Sequence, residues 1–287
     1  MENSAQDNNV RQSAAPVSFG QRLRERAAQR GRLCVGIDPH AGLLRDWGLA
    51  DDVAGLREFS QRCVAAFADV ACVVKPQVAF YERFGAAGFA VLEETLRDLR
   101  GAGALVIADA KRGDIGSTMA GYASAWLDPA SPLRADAVTV APYLGLGALD
   151  PAFTAARETG TGVFVLAATS NPEAVEFQNF RRNDGTSLAQ HVVDYCREFN
   201  SAHDDGVLGV VVGATLQNPP DLQGFNGPVL MPGVGAQGGT VADIARIAAD
   251  TENWAFPNVS RSVLAAGPDV ADLRKAALEQ ASKFPGS

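Results

Sequence analysis

The sequence contains few of the residues that mark a secreted, membrane-spanning or metal-binding protein. It has 4 cysteines and 3 histidines among 287 residues, and neither a CxxC nor an HExxH spacing occurs. A disulfide framework and the common zinc motifs are therefore not expected. No apolar run is long enough to span a membrane, and the N-terminal residues lack the apolar core of a signal peptide. Because Cys34 and Cys72 lie in apolar runs, we expect buried thiols in a reducing compartment and a cytoplasmic protein.

Positive charge is also scarce. The chain has 25 basic and 33 acidic residues, which gives a formal net charge of -8. Nucleic-acid-binding proteins usually carry a basic surface, so we predict no nucleic-acid partner, and the lack of an apolar span predicts no membrane partner. Hydrophobic residues make up 47% of the chain, which is enough to build a sizeable globular core.

Eight apolar segments alternate with helical patterns along the chain. The segments are RLCVGIDPH, ACVVKPQVAFYERFG, ALVIADAKRGDIGST, DAVTVAPYLG, TGVFVLAATSN, VLGVVVGAT, GPVLMPGVGAQGG and FPNVSRSVLAAG. Apolar strands separated by helices predict a parallel sheet that is covered on both faces. Eight such units in about 250 residues fit a closed (β/α)8 barrel. A Rossmann fold would require GxGxxG after the first strand, where this chain has GIDP.

We therefore predict one α/β domain, a TIM barrel over residues 18–287, after a disordered N-terminal tail of residues 1–17. The helical pattern of Phe19 to Arg30 predicts a helix that covers one end of the barrel. A short helical or turn segment is expected near Pro219 to Leu222. The other predicted helices are Leu56–Val70, Gly88–Gly101, Met119–Leu127, Leu149–Thr159, Leu188–Asn200, Val241–Ala249 and Val270–Lys283.

Charged side chains stand at the ends of several predicted strands. Asp109 and Lys111 are two apart on the third strand and therefore point the same way. Asp38 ends the first strand and Lys75 the second, while Asp114 lies just beyond the third. One such pair could be a solvent-facing salt bridge. Barrel enzymes place their chemistry at the carboxyl ends of the strands, so the whole set predicts an active site there.

The seventh and eighth strand ends indicate an anion site. The segment MPGVGAQGG has four glycines, which let backbone N–H groups approach an anion closely, and Arg261 follows the eighth strand. Loops after strands seven and eight of such barrels often bind phosphate. The alternative is a flexible loop beside a surface arginine. We favour a phosphate site.

Six segments together resemble the orotidine 5'-phosphate decarboxylase family, in its longer bacterial (type 2) subgroup. They are GIDP, VVKPQVAFYERFG, DAKRGDI, ATSNP, MPGVGAQGG and SRSV. The resemblance implies conversion of orotidine 5'-phosphate to UMP and CO₂ in pyrimidine biosynthesis. It also implies that no metal or cofactor is needed, and that the enzyme is a homodimer with shared active sites.

The resemblance also implies a role for individual residues. Asp38 would bind the ribose hydroxyls, and Lys75 would contact the ribose and order the neighbouring carboxylate. Asp109 would lie beside the substrate carboxylate, and Lys111 would protonate C6. Asp114 would reach the site of the neighbouring subunit.

The remaining expected substrate contacts lie in later loops and beside Asp114. Ser170 would contact the pyrimidine, and Gln237 and Arg261 would clamp the phosphate. The other expected substrate-binding residues are Ile115, Thr118 and Pro232. The chain departs from shorter family members in having Ser260 where they carry glycine, and the residues from Pro172 to Ser187 receive no assignment.

Three other functions compete with this interpretation. The DxKxxD pattern is shared with Mg²⁺-dependent sugar-phosphate lyases on related barrels, but Lys75 would repel their metal. A Schiff-base aldolase needs a lysine of lowered pKa, whereas neighbouring carboxylates act in the opposite direction. A non-catalytic nucleotide-binding barrel could dispense with Lys111 and Asp109. For the decarboxylase, loss of CO₂ leaves a carbanion with no adjacent carbonyl, so its stabilisation must be electrostatic and preorganised.

Overall fold

Eight parallel strands form a closed barrel in which each strand pairs with the next and β8 pairs with β1. The computed structural model describes residues 16–203 and 206–286, and these strands lie within those ranges. They are β1 Cys34–Ile37, β2 Val73–Pro76, β3 Leu105–Arg112, β4 Ala137–Val140, β5 Gly162–Ala168, β6 Leu208–Val212, β7 Val229–Pro232 and β8 Ala255–Val259. The predicted α/β barrel is confirmed, whereas residues 1–15 of the predicted tail lie outside the described residues.

Helices follow the strands and cover the outside of the barrel. Their bounds are α1 Phe19–Arg30, α2 Ala41–Asp46, α3 Val53–Phe67, α4 Val78–Glu82, α5 Gly85–Gly101, α6 Gly116–Leu127, α7 Asp150–Thr159, α8 Ala174–Gln178, α9 Leu188–His203, α10 Val241–Ile247, α11 Arg261–Leu264 and α12 Val270–Ala281. The predicted helices are present. Helix α1 has the predicted bounds, and each of the others is shifted at one or both ends. The segment 219–222 forms no helix, and a turn follows it at 223–224.

The start of α3 shows why such ends shift. The helix begins at Val53 rather than at Leu56 because Asp52 caps it, its carboxylate accepting a hydrogen bond of 2.8 Å from the Gly55 amide. Capping by Asp satisfies an amide that has no partner within the helix. Hydrophobic spacing alone predicts the apolar stripe and misses the polar cap that sets where the helix begins.

Helix α1 closes the amino end of the barrel. It buries Phe19, Leu23 and Ala27 against side chains that point into the barrel, among them Phe164. The rings of Phe19 and Phe164 meet edge to face with centroids 5.9 Å apart. Gly162 makes this contact possible, because a Cβ there would lie 2.4 Å from the Phe19 ring. With α1 over the amino end, the described residues leave the carboxyl end of the barrel open, which is the end where the sequence predicts the active site.

A second core lies between the strands and the surrounding helices. Helices α3 and α5 bury Leu56, Phe59 and Leu92 there, together with outward-facing strand residues such as Val74. Burial of apolar surface is the dominant favourable contribution to folding. This outer core holds the strands in place, so that residues at their carboxyl ends have fixed positions.

Candidate active site

A cavity of about 240 Å³ opens at the carboxyl ends of the strands. Its charged lining residues come from four different strand ends: Asp38 after β1, Lys75 on β2, Asp109 and Lys111 on β3, and Arg261 after β8. The barrel therefore brings together charges that are up to 223 positions apart in the sequence, between Asp38 and Arg261. Of the five charged residues predicted to meet at one mouth, four line the cavity and Asp114 does not.

Asp109 lies at the centre of the charged cluster and accepts four hydrogen bonds. Its Oδ2 accepts from Lys75 Nζ at 2.8 Å and from Gln77 Nε2 at 2.9 Å. Its Oδ1 accepts from Lys111 Nζ at 2.6 Å and from Thr139 Oγ1 at 2.9 Å. Each carboxylate oxygen thus receives one ammonium and one neutral donor. The side chain cannot rotate without breaking an ion pair, so it is held in one orientation.

Because the cluster is buried, each of its charges depends on the opposite charges beside it for stabilisation. The side chain of Lys75 is 6% exposed and that of Asp109 is 10% exposed. Burial raises the pKa of Asp109, but Lys75 and Lys111 outweigh this effect, and the net pKa is well below the ordinary value. Burial lowers the pKa of Lys75, but Asp109 and Asp38 outweigh it, and the net pKa is raised. Both groups are therefore charged at neutral pH, which argues against Lys75 as a Schiff-base amine.

Lys111 occupies the exposed end of the cluster. Its side chain is 46% exposed and lines the cavity, in contrast to the buried Lys75. The residue has a φ of +49°, in the left-handed region that residues other than glycine seldom adopt. The ladder between β3 and β4 is irregular at the same place, between Ala108 and Arg112. This irregularity turns the Lys111 side chain back toward the carboxylate two residues earlier.

Asp38 offers the cavity an unused acceptor. Its Oδ1 is buried and has no hydrogen-bond partner among the described residues. A buried carboxylate oxygen without a donor is costly, so the site favours a ligand that supplies one. A sugar hydroxyl is a suitable donor, in agreement with the predicted ribose contact.

The opposite end of the cavity has the properties of an anion site. Pro232, Gly233 and Gln237 line it, and Gly233 has a φ of +101°, which suits glycine. Gln237 Oε1 accepts a hydrogen bond of 3.1 Å from Ser170 Oγ, which connects the loop after β7 to the loop after β5. Arg261 lines the same end and pairs with no carboxylate of the described residues.

The residues after Ser170 form a short excursion beside the cavity. Helix α8 lies within the segment that the sequence leaves unassigned, Pro172 to Ser187. Gln178 fixes it, because its side chain accepts from the Thr169 amide at 2.8 Å and donates to the Thr169 hydroxyl at 2.9 Å. Thr169 itself lines the cavity. The excursion is therefore attached directly to the rim of the site.

Four predicted site residues do not line the cavity of their own chain. One is Ser170, which reaches it only through its hydrogen bond to Gln237. Asp114, Ile115 and Thr118 lie after β3 and are not among the cavity-lining residues. Ile115 is 61% exposed, and the Asp114 carboxylate accepts a hydrogen bond of 2.8 Å from the Ile115 amide. Their expected role in a neighbouring subunit's site stays a prediction.

Besides Thr169, three polar residues at or behind the cavity were not predicted from the sequence. Gln77 and Asn258 line it, and Thr139 contacts Asp109 from behind. A signal exists for Gln77, which is two residues after Lys75 and therefore shares its direction. Thr139 is the one polar residue of the strand AVTV, but its register against β3 cannot be read from the sequence.

The donor set does not suit a metal ion. No group of three or more His, Cys, Asp and Glu side chains in residues 16–203 and 206–286 is arranged to hold one. Both oxygens of Asp109 are already bound by ammonium groups, which would repel a cation.

Across residues 16–203 and 206–286, no helix combines the length and apolarity needed to cross a membrane.

Known proteins resemble this chain over almost its whole length. It is 60% identical to an orotidine 5'-phosphate decarboxylase of Corynebacterium glutamicum, over 94% of this chain and 99% of that protein. A Streptomyces avermitilis crystal structure provisionally assigned to the same activity is 52% identical, with a TM-score of 0.91 over 95% of this chain and 96% of that one. The Leishmania donovani OMP decarboxylase structure is 32% identical, with a TM-score of 0.72 over 93% of this chain and 97% of that one.

The sequence model of one family covers most of the barrel. It matches residues 31–276, from the turn before β1 into α12, and so includes every strand described above. Together with the charged cluster and the relatives of high identity, this match assigns the chain. It belongs to the orotidine 5'-phosphate decarboxylase / HUMPS family.

Proposed function

We propose that this chain is a carboxy-lyase that converts orotidine 5'-phosphate to UMP and CO₂. The observation that carries the proposal is the cluster of Lys75, Asp109 and Lys111 at one end of a cavity whose other end has the properties of a phosphate site. The relatives of high identity are named for the same reaction. The separation of the two ends suits a nucleotide with its base at the charged cluster and its phosphate at Arg261.

The chemistry follows from the arrangement of charges. The bond between C6 and the carboxyl carbon breaks, CO₂ leaves, and the electron pair stays on C6. The Lys111 ammonium stabilises this developing negative charge and then donates a proton to C6. Asp109 holds that ammonium at 2.6 Å and would lie beside the substrate carboxylate. A fixed array needs little reorganisation during the reaction, which is the source of its catalytic effect.

The phosphate end contributes to the rate as well as to binding. Contacts from Gln237 and Arg261 to a remote phosphate supply binding energy that can position the base against Lys111. Asp38 would hold the ribose between the two ends through its unused oxygen. In this proposal the substrate is anchored at three separate points.

The magnesium-dependent lyase is not favoured. A lyase metal requires free carboxylate oxygens, whereas both oxygens of Asp109 accept from lysine ammonium groups. The close relatives also carry the decarboxylase name.

The direct test is a decarboxylation assay that includes a chelator. Orotidine 5'-phosphate absorbance should fall on addition of the purified protein, at the same rate with and without EDTA, because no step uses a metal. A protein that leaves the absorbance unchanged would contradict the proposed reaction. A rate that falls with EDTA and returns with Mg²⁺ would contradict the metal-free mechanism.

We further propose that two copies of the chain form a dimer with shared sites. The surface after β3 and β4 exposes three large apolar side chains, Ile115 at 61%, Tyr143 at 76% and Leu144 at 52%. The two loops are adjacent, because a Cβ on Gly113 would lie 2.4 Å from the Ala141 carbonyl oxygen. Clustered exposed apolar residues often mark a protein interface. Asp114 lies within this surface, where it could reach the cavity of a partner.

Mixing two inactive variants tests the shared sites. Asp109→Asn and Asp114→Ala should each be nearly inactive alone. Co-expression should restore about a quarter of wild-type activity, because half of the dimers are hybrids and each hybrid has one site without a lesion. The matched control combines Asp109→Asn with Lys111→Ala, whose lesions fall in every site and should restore nothing. Equal failure of both mixtures, with Asp109→Asn recovered as folded protein, would exclude shared sites.

We also propose a cytoplasmic location, from the cysteines. Cys34, Cys63, Cys72 and Cys196 are all buried and unpaired. Burial raises the pKa of the Cys72 thiol to about 12, so it is protonated and unreactive at neutral pH. Reduced, inert thiols are typical of proteins that work in a reducing compartment.

A further inference from the structure

The pairing between β3 and β4 fails at the catalytic cluster. Ile107 pairs with Ala137 and Ala108 with Val138, but the next pair is Arg112 with Val140. Three residues of β3, numbers 109–111, therefore lie opposite a single residue of β4, Thr139. Such bulges leave backbone groups without their ladder partners and redirect side chains, and they are common beside active sites.

The Thr139 hydroxyl replaces part of the missing ladder. Its Oγ1 accepts a hydrogen bond of 2.9 Å from the Lys111 amide. An amide N–H can only donate, so the hydroxyl keeps its own hydrogen for a second bond, which it donates to Asp109 Oδ1 at 2.9 Å. Thr139 is 1% exposed and does not line the cavity. One buried hydroxyl therefore joins the backbone of the proton donor to the carboxylate that holds its ammonium.

This connection closes a ring of contacts. It runs from the Lys111 amide through Thr139 to Asp109 Oδ1, and from that oxygen back to Lys111 Nζ at 2.6 Å. The ring fixes two features that would otherwise relax. One is the left-handed backbone of Lys111, a conformation that persists only when its surroundings hold it. The other is the Asp109 rotamer.

We propose that Thr139 is a positioning residue, which sets the direction of the Lys111 ammonium without contacting the substrate. This inference rests on the proposed decarboxylation. Without the hydroxyl, the Lys111 amide loses its hydrogen bond to β4, and Asp109 loses one of its four donors. Lys75 and Gln77 remain, so the substrate still binds, but the ammonium is no longer fixed against C6. The rate should fall while affinity is kept.

The test is Thr139→Val, which keeps the shape of the side chain and removes the hydroxyl. We expect kcat to fall by about 10- to 100-fold, as a displacement near 1 Å can produce. KM and the affinity for UMP should stay within about twofold of wild type, because Thr139 does not touch the cavity. Thr139→Ser, which restores the hydroxyl, should recover kcat to within about threefold.

Thr95→Val is the matched control. Thr95 is also buried, at 3% exposed, and its hydroxyl donates to the Val91 carbonyl at 2.7 Å on α5. The Thr95→Val variant should lose some stability and keep the kcat of the wild type. If Thr139→Val does not fold, Thr139→Ala is measured against Thr139→Ser in its place. A wild-type kcat in either hydroxyl-free variant would overturn the proposal, and so would a serine variant as slow as the valine one. Wild-type protein without turnover would instead count against the proposed function.

Discussion

Replacing Lys111 by alanine is expected to abolish turnover while a UMP-like ligand still binds. The ammonium is the cation nearest the position proposed for C6, and the variant loses both the stabilising charge and the proton. General acid catalysis contributes about 10²- to 10⁴-fold, and electrostatic stabilisation of the carbanion adds to this. We therefore expect a fall in kcat of at least about 10⁴-fold. Orotidine 5'-phosphate absorbance and product quantification would measure it.

The fold should survive this change, which makes the result interpretable. The Lys111 side chain is 46% exposed, and Asp109 keeps Lys75 at 2.8 Å after its removal. UMP affinity and the thermal midpoint should therefore remain close to wild type. Lys275→Ala, on the exposed surface of α12, is the control for loss of one lysine. Turnover retained by Lys111→Ala would refute its role as proton donor.

The central pair of the site could be predicted because a strand has a two-residue period. That period predicts that Asp109 and Lys111 share a direction, and Lys75 joins them because parallel strands of a barrel end at one mouth. The ion pairs at 2.8 and 2.6 Å confirm the grouping, but the bulge and not the strand period turns Lys111 toward Asp109. The fold was predictable on similar grounds, since eight apolar segments alternating with helices have few other arrangements.

The supporting contacts could not be predicted, because they depend on register. Thr139 faces Asp109 because Ala108 pairs with Val138, and it reaches the Lys111 amide because the ladder is irregular beyond that pair. No local pattern marks either the register or the irregularity. Lys111 has a positive φ although it is not a glycine, so nothing in the sequence predicts a left-handed backbone there. For Asp114, by contrast, the sequence predicts more than the single chain shows. Its place just after β3 suggests the same cavity, but the described chain places it outside, and its expected role in a neighbouring subunit's site stays a prediction.

Replacing Asp109 by asparagine is expected to be the most destabilising single change in the site. The amide keeps the size of the side chain and removes the charge between two lysines. Lys75, with a side chain 6% exposed, is then left buried without its main counter-charge. Breaking a buried pair in this way costs about 3–5 kcal/mol. Urea denaturation should show this loss, and turnover should fall with it, because Lys111 also loses its partner.

Asp69→Asn provides the matched control for this loss. It removes the carboxylate that accepts from Arg274 at 2.8 Å on the surface. The Asp69 side chain is 56% exposed, and surface pairs contribute little to stability. An Asp109→Asn variant no less stable than Asp69→Asn would show that the buried cluster does not depend on its central charge.

The pH dependence of stability gives this prediction a definite sign. In the wild type the Asp109 pKa is lowered, so its contribution is present above the ordinary carboxylate range and is lost in acid. The Lys75 pKa is raised, so its contribution is present below about pH 10 and is lost only in strong alkali. Between about pH 5 and 10, stability due to this pair should therefore be constant.

In the Asp109→Asn variant, the direction of the Lys75 pKa shift is expected to reverse. Burial then dominates and lowers its pKa below that in the unfolded chain, so the unfolded state binds more protons. The unfolding free energy of the variant should therefore rise from pH 7 to pH 9.5, relative to that of the wild type. Urea titrations of both proteins at the two pH values measure the difference. If the unfolding free energy of the variant, relative to that of the wild type, stays constant or falls from pH 7 to pH 9.5, Lys75 is not held charged in the barrel by Asp109.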